Sequence, residues 1–339
     1  MIEGHGNNIY DYSEAIGYDF SSNVAFNGNS DEIVNFLKGN LDCIKNYPDP
    51  CARRLSSKIA QHCSEKSASI LVTGGAAEAF YLLAQLLGGA RSAIMTPSFA
   101  EYEDACRLHK HHCTYIDISQ FSKSDFSPYR SVWLGNPNNP DATLIPATEI
   151  LSRCHAYPDT LFIVDYAYQE LTQEKQLIEI SGKRAKNLIL THSLTKSFAI
   201  PGIRLGYIVA SAEIIAALSR GRAPWSVNSL ALEAGCFIMD NYNRLLPNIE
   251  ELMGESLFLQ RELRQNPNLE SLSSRCNFFL SRLKNGSAAE LKERLVREFG
   301  ILIRDASNFR GLDESYFRLG AQSRTANIKL IEAINKICK

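Results

Sequence analysis

Between residues 69 and 209 the chain repeats one arrangement: a short run of β-branched and other apolar residues, then a helical stretch or a long connection, then another run. The runs fall at 69–72, 92–95, 113–116, 131–134, 161–164, 188–190 and 206–209, with helical spacing at 76–87 and 102–110. They are apolar on both faces, and most of the connections are too long for hairpins. That pattern predicts an α/β fold with a mostly parallel central sheet covered by helices on both sides. From about residue 221 the texture changes. A long helical region, 230–263, precedes apolar runs at 277–280 and 316–319 and helices at 288–299 and 324–337. This predicts a smaller α+β unit with antiparallel strands. The expected organisation is a polar, Gly/Asn-rich N-terminal arm (1–29), a large domain (30–220) and a small C-terminal domain (221–339).

Composition narrows the function. Lys and Arg number 36 against 37 Asp and Glu, a net charge of −1, so the basic excess of a nucleic-acid-binding chain is missing. No apolar run approaches the ~18–20 residues of a membrane span. The first residues carry neither a basic nor an apolar leader segment, so a cytoplasmic location is expected. The nine cysteines are odd in number and show no C-x-x-C spacing, as for free thiols in a reducing compartment. The group His109, His111, His112 and Cys113 reads as a helix end running into a strand rather than as a metal site.

In an open α/β sheet, ligands collect beyond the carboxyl ends of the strands. The polar residues that follow each run are therefore the candidates: Gly74-Gly75-Ala76-Ala77-Glu78, Pro97-Ser98-Phe99, Asn136 to Pro140, Asp165-Tyr166-Ala167-Tyr168, and Ser193-Leu194-Thr195-Lys196. Gly74-Gly75 ahead of a helix offers free amides at a positive helix end, a seat for phosphate. Ser193, Lys196 and Arg204 are spaced to converge on that anion. A buried Asp165 at a strand end stays charged only opposite a cation, such as a protonated ring nitrogen. Lys196 between the two suggests a Schiff-base lysine, and Phe99 a face for an aromatic ring. Together they describe a phosphorylated pyridine aldehyde, pyridoxal 5'-phosphate.

With these residues in view, the chain resembles the fold-type-I pyridoxal-phosphate aminotransferases of class I/II. Asp165-x-Ala167-Tyr168, Ser193-x-x-Lys196 and Arg204-x-Gly206-Tyr207 carry the likeness, and further matches run from His5-Gly6-Asn7-Asn8 to Gly311-Leu312-Asp313. Within the family it is similar to the branch of threonine-phosphate decarboxylases and histidinol-phosphate aminotransferases. The resemblance implies that Lys196 binds the cofactor covalently, Asp165 pairs with its ring nitrogen, and Tyr168 and Asn139 bond its ring oxygen. Ser193, Arg204 and the backbone of Gly75, Ala76 and Ala77 would hold its phosphate, with Phe99 stacked on the ring. Tyr47 would reach the cofactor phosphate of a neighbouring subunit, which implies a homodimer. Arg318 would grip the substrate carboxylate, while Arg304, Asn23 and His5 would surround the carboxylate or a second, phosphate group. The implied activity is decarboxylation of L-threonine O-3-phosphate in cobalamin biosynthesis, with transamination of histidinol phosphate or a related amino acid as the alternative. Two positions depart from the family pattern. Asn139-Pro140-Asp141-Ala142 replaces the usual Asn-Pro-Thr-Gly, and Gln322 stands where the decarboxylases carry an arginine.

Overall fold

The computed structural model describes residues 6–173 and 185–338. Its main feature is a seven-stranded sheet made of β1 (Ile70–Thr73), β2 (Arg91–Thr96), β3 (His112–Asp117), β4 (Ser131–Gly135), β5 (Leu161–Asp165), β6 (Leu188–Ser193) and β7 (Gly206–Val209). Every apolar run expected in this part of the chain is one of these strands. The order across the sheet is β1-β7-β6-β5-β4-β2-β3, and all pairs are parallel except those made by β7. The order reverses between β2 and β4, the position where such sheets open a crevice.

The strands alternate two apolar faces. On β5, Ile163 joins Phe80, Leu83, Ile94, Trp133, Ile189 and Ile208 on the face covered by the Ala76–Leu86 helix. Its neighbours Phe162 and Val164 point the other way, to Val72, Met95, Leu134, Leu190 and Val209. With both faces sealed, the polar ends of the strands are the places where function can surface.

A second sheet is antiparallel throughout. It contains β8 (Leu269–Ser271), β9 (Phe278–Leu283), β10 (Arg304–Asp305) and β11 (Tyr316–Gly320), in the order β10-β11-β9-β8. The helices Ala288–Phe299 and Arg324–Ile337 have the expected bounds and bury Leu291, Leu295, Leu330 and Ile334 against this sheet. The register sets Arg304 directly opposite Arg318.

The region 230–263 is not one helix. It divides into Ser229–Asp240, Tyr242–Leu245 and Ile249–Leu263. Pro247 interrupts the pattern, and Asn248 starts the last helix by accepting the amides of Glu250 and Glu251 at 3.1 and 3.3 Å. The first piece buries Ala231, Ala234 and Ile238 in the core of the large sheet. At the other end of the chain, Phe20 of the arm is fully buried in the core of the small sheet. His111 is buried and bonded on both ring nitrogens, to Ser92 Oγ and to the Ala84 carbonyl, each at 2.8 Å, so it ties a helix end to the sheet. All nine cysteines are unbridged. Among the described residues no helix is long and apolar enough to cross a membrane.

Phe162 is fully buried and packs edge-on to Phe126 at 5.6 Å and Phe121 at 6.4 Å. Phe162→Ala is expected to cost about 3–5 kcal/mol, because transfer energy is lost and a cavity remains. The midpoint of denaturant unfolding measures it.

Candidate active site

A cavity of about 220 Å³ lies beyond the carboxyl ends of the large sheet, closed on its far side by β10, β11 and the loop between them. Asn23, Ala76, Ala77, Phe99, Asn139, Asp165, Tyr168, Ser193, Lys196, Arg204, Arg304 and Arg318 all line it. The residues from Ala76 to Arg204 meet at the edge of the large sheet, and Asn23 of the arm with Arg304 and Arg318 of the small sheet face them across the cavity.

Asp165 ends β5 and is buried. Its carboxylate accepts from the Tyr102 hydroxyl at 2.7 Å, the Ala167 amide at 3.0 Å and the Thr191 hydroxyl at 3.4 Å. All three donors are neutral. Burial outweighs them and Lys196, and pushes the carboxyl up to about 6. Tyr168, two residues beyond Ala167's neighbour Tyr166, has its hydroxyl pushed up to about 12 by burial, against the opposing pull of Arg318.

Lys196 belongs to the short helix Leu194–Ser197, which starts at the last residue of β6, Ser193, whose hydroxyl accepts from the Thr195 amide. Burial lowers the Lys196 amine to about 8, helped by the positive charges of Arg318 and Arg204 and opposed by Asp19 and Asp165. The amine is therefore partly neutral near pH 7, the state in which it can act as a nucleophile or base.

The opposite end of the cavity is a backbone cradle. Gly75 has φ +92°, and a Cβ there would stand 2.7 Å from Arg204 Nη2. A Cβ on Gly206 would stand 2.5 Å from the His192 carbonyl and 2.9 Å from the Ala76 nitrogen. The antiparallel pairing of β1 and β7 causes this approach, and it sets the arginine beside the uncapped start of the Ala76–Leu86 helix. Helix amides and a guanidinium together form an anion site.

Arg318 donates to Asn139 Oδ1 at 2.5 Å and to the Ser21 carbonyl at 2.6 Å. Arg304 donates to Asn308 Oδ1 at 2.8 Å and to the Asp305 carbonyl, with its guanidinium 5.0 Å from the centre of the Phe309 ring. These acceptors are neutral oxygens. Burial lowers both arginines, and Arg318 adds repulsion to Arg304. The Arg318 Nε is buried without a hydrogen bond, and the buried Asn23 side chain lies against the Tyr168 hydroxyl. A buried donor of this kind at the cavity wall suits a ligand oxygen.

Gly75 backs the cavity through Arg204. Tyr47 lies away from the cavity of its own chain; it is 84% exposed, with its ring 5.1 Å from that of Trp225. His5 lies outside the described residues, although Gly6 and Asn7 next to it line the cavity. In the altered turn, the Asp141 carboxylate accepts from Asn138 Nδ2 at 2.7 Å and from the Thr143 amide and hydroxyl at 3.1 and 2.8 Å. Ala142 takes φ +59° there. Asn139 reaches the cavity all the same. Gln322 does not line it: its backbone is bonded on both sides to the Asn327 side chain.

Sequence reading missed Tyr102, Thr191, Asn308 and Phe309. Tyr102 is the main donor to Asp165, and its signal was its place one helical turn after Phe99. Asn308 and Phe309 sit in a connection with no periodicity to mark them.

Asp165→Asn is expected to stabilise the ligand-free protein above pH 6 by on the order of 2–3 kcal/mol. The folded carboxyl, at about 6, binds its proton more tightly than the ordinary value of 3.8, so its destabilising charge is complete only above pH 6. The gain should fade as pH drops from 6 toward 4, which unfolding midpoints across that range would show.

The family model for aminotransferase class I and II matches residues 23–337. The threonine-phosphate decarboxylase of Salmonella typhimurium is 30% identical over 98% of this chain and 96% of its own length. A histidinol-phosphate aminotransferase of Caldanaerobacter subterraneus is 31% identical over 86% of this chain and 84% of its own. Among solved structures, the L-threonine-O-3-phosphate decarboxylase of Porphyromonas gingivalis is 40% identical and superposes with a TM-score of 0.91 over 94% of this chain and 98% of that one. Strand order, the cavity at the sheet edge and these matches agree: the chain belongs to the class I and II aminotransferase family.

Proposed function

We propose that this protein uses pyridoxal 5'-phosphate to decarboxylate L-threonine O-3-phosphate, giving (R)-1-amino-2-propanol O-phosphate and carbon dioxide for cobalamin biosynthesis. The observation that carries the reading is the cross-strand pair Arg304 and Arg318, buried in one cavity and bonded to neutral oxygens. Such a pair suits a substrate with two anionic groups, a carboxylate and a phosphate. The relatives named for that substrate support it.

The cavity fits the cofactor of this family. Asp165 would face the ring nitrogen, where a positive charge relieves the penalty that pushes its carboxyl up. Tyr168 and Asn139 would bond the ring oxygen, and Phe99 would cover the ring. The amides of Ala76 and Ala77, Ser193 and Arg204 would take the phosphate in the cradle kept open by Gly75 and Gly206. When bound, the cofactor supplies an electron sink for the bond broken at the substrate α-carbon.

The chain's own residues do the rest. Tyr102, Thr191 and the Ala167 amide orient Asp165 and keep it from turning away. Lys196 would hold the cofactor covalently, and its amine, freed and protonated, would stand ready to deliver the proton that takes the place of carbon dioxide at the substrate α-carbon. Arg304 and Arg318, with Asn23 and His5, hold the two anionic ends. By fixing those ends they determine which α-carbon substituent is aligned for cleavage, which separates decarboxylation from transamination.

We place the enzyme in the cytoplasm as a homodimer. Ile44, Tyr47 and Trp225 are 63%, 84% and 49% exposed around one surface groove, an apolar area that a second copy would cover. Tyr47 would then reach the partner's cofactor phosphate.

Release of carbon dioxide from carboxyl-labelled threonine phosphate tests the activity. Conversion of histidinol phosphate that requires 2-oxoglutarate, with no carbon dioxide from threonine phosphate, would replace this reading by transamination. Lys196→Ala should abolish borohydride-reducible cofactor attachment and slow turnover by more than about 10³-fold. In the ligand-free wild-type protein the rate of attachment should rise with pH through about 8, as the Lys196 ammonium loses its proton. Stopped-flow absorbance would follow it.

A further inference from the structure

The loop 306–312, between β10 and β11, faces two ways. Asn308 and Phe309 turn inward, where both touch Arg304. Arg310 turns outward to the large sheet's side of the molecule. Its guanidinium grips the Glu103 carboxylate as a fork, Nε to Oε2 at 2.9 Å and Nη2 to Oε1 at 2.7 Å. It also lies 3.9 Å from the centre of the Tyr115 ring. Glu103 is in the first turn of the helix Ala100–Leu108, which begins beside Phe99, and Tyr115 is on β3.

Beneath this contact runs a second cleft, about 470 Å³, between the helix and the loop. It shares Phe99, Ala100, Asn308 and Phe309 with the active-site cavity, so the ion pair spans the approach to that cavity. Glu103 also meets Arg107 at 2.7 Å, and Asp104 lines the cleft. The pair is partly exposed, at 44% for Arg310 and 17% for Glu103. Its value for overall stability is therefore small, whereas a bidentate fork with an aromatic platform is specific in geometry.

We propose that Arg310 is a positioning residue: clamped on Glu103 and Tyr115, it pins the loop 306–312 and so sets Asn308, Phe309 and Arg304 for the anionic end of the substrate. The identity of that anion rests on the proposed function; the clamp does not.

The test uses holoenzyme of the wild type, Arg310→Ala and the conservative variant Arg310→Lys. Three quantities are read: amide hydrogen exchange over 306–312, the Kd for inorganic phosphate, and KM and kcat with threonine phosphate. Arg310→Ala should speed exchange in the loop by about 10-fold and raise Kd and KM by about 5–20-fold, with kcat within about threefold. Arg310→Lys keeps a cation against Glu103 and over the Tyr115 ring but loses the fork, so its Kd should fall between those of the wild type and Arg310→Ala. Unchanged exchange in Arg310→Ala, unchanged phosphate affinity, or Arg310→Lys no better than Arg310→Ala overturns the proposal. If the wild type releases no carbon dioxide from threonine phosphate, the proposed substrate fails, while exchange and phosphate affinity still decide the clamp.

Discussion

A carboxylate buried among neutral donors is the constraint around which the site is organised. Tyr102, Thr191 and the Ala167 amide can orient Asp165 but cannot neutralise it. Lys196, Arg204, Arg304 and Arg318 line the same cavity, so the positive charges are gathered around the Asp165 carboxylate. The contents that satisfy such a cavity are cationic next to Asp165 and anionic beside the arginines. A protonated heterocycle with a phosphate answers the first demand and part of the second. A doubly anionic substrate answers the remainder.

The parallel sheet is what makes this arrangement available. Its two faces are consumed by packing, so polar residues at the ends of β4, β5 and β6 have nowhere to go but the common edge. That is why so much could be read from the chain alone. A polar residue directly after an apolar run is conspicuous, and Asp165 stands in that position, while Ser193 and Lys196 follow within one short turn of the run 188–190. Where function comes from other geometry, the signal is lost. Tyr102 looks like a core aromatic on an amphipathic helix, and it is one, packed at 4.9 Å on Phe80; only its hydroxyl, aimed at Asp165, belongs to the site. Asn308 and Phe309 owe their place to a loop whose path depends on tertiary contacts. The break in the 230–263 region shows the same limit, since apolar spacing continues across Pro247 although the helix cannot.

The departures from the family pattern have physical readings. At Asn139-Pro140-Asp141-Ala142, the Asp141 side chain supplies hydrogen bonds that stiffen the turn, which lets Ala142 hold a left-handed conformation usually left to glycine. The substitution is local, and Asn139 keeps its contact with Arg318. Gln322 has no such link to the cavity: Asn327 closes a ring of backbone bonds around it and fixes the start of the Arg324–Ile337 helix instead. The cations that do line the cavity are Lys196, Arg204, Arg304 and Arg318.

Those two arginines are the least natural feature of the small sheet. Like charges directly opposite on paired strands repel, and burial makes each charge dearer still. Nothing in the packing of β10 against β11 requires them, since the core of this sheet is built from Phe279, Phe317 and Leu319 on the other residues. A fold under selection for stability alone would hold apolar or neutral side chains at these positions. Their retention in facing register, each half-satisfied by neutral oxygens, makes sense only when anions complete them. The same register fixes how far apart those anions can be, and hence how a short phosphorylated amino acid would be turned about its α-carbon. On the proposed reading, reaction choice would reside in a two-residue match between antiparallel strands, at some remove from Lys196.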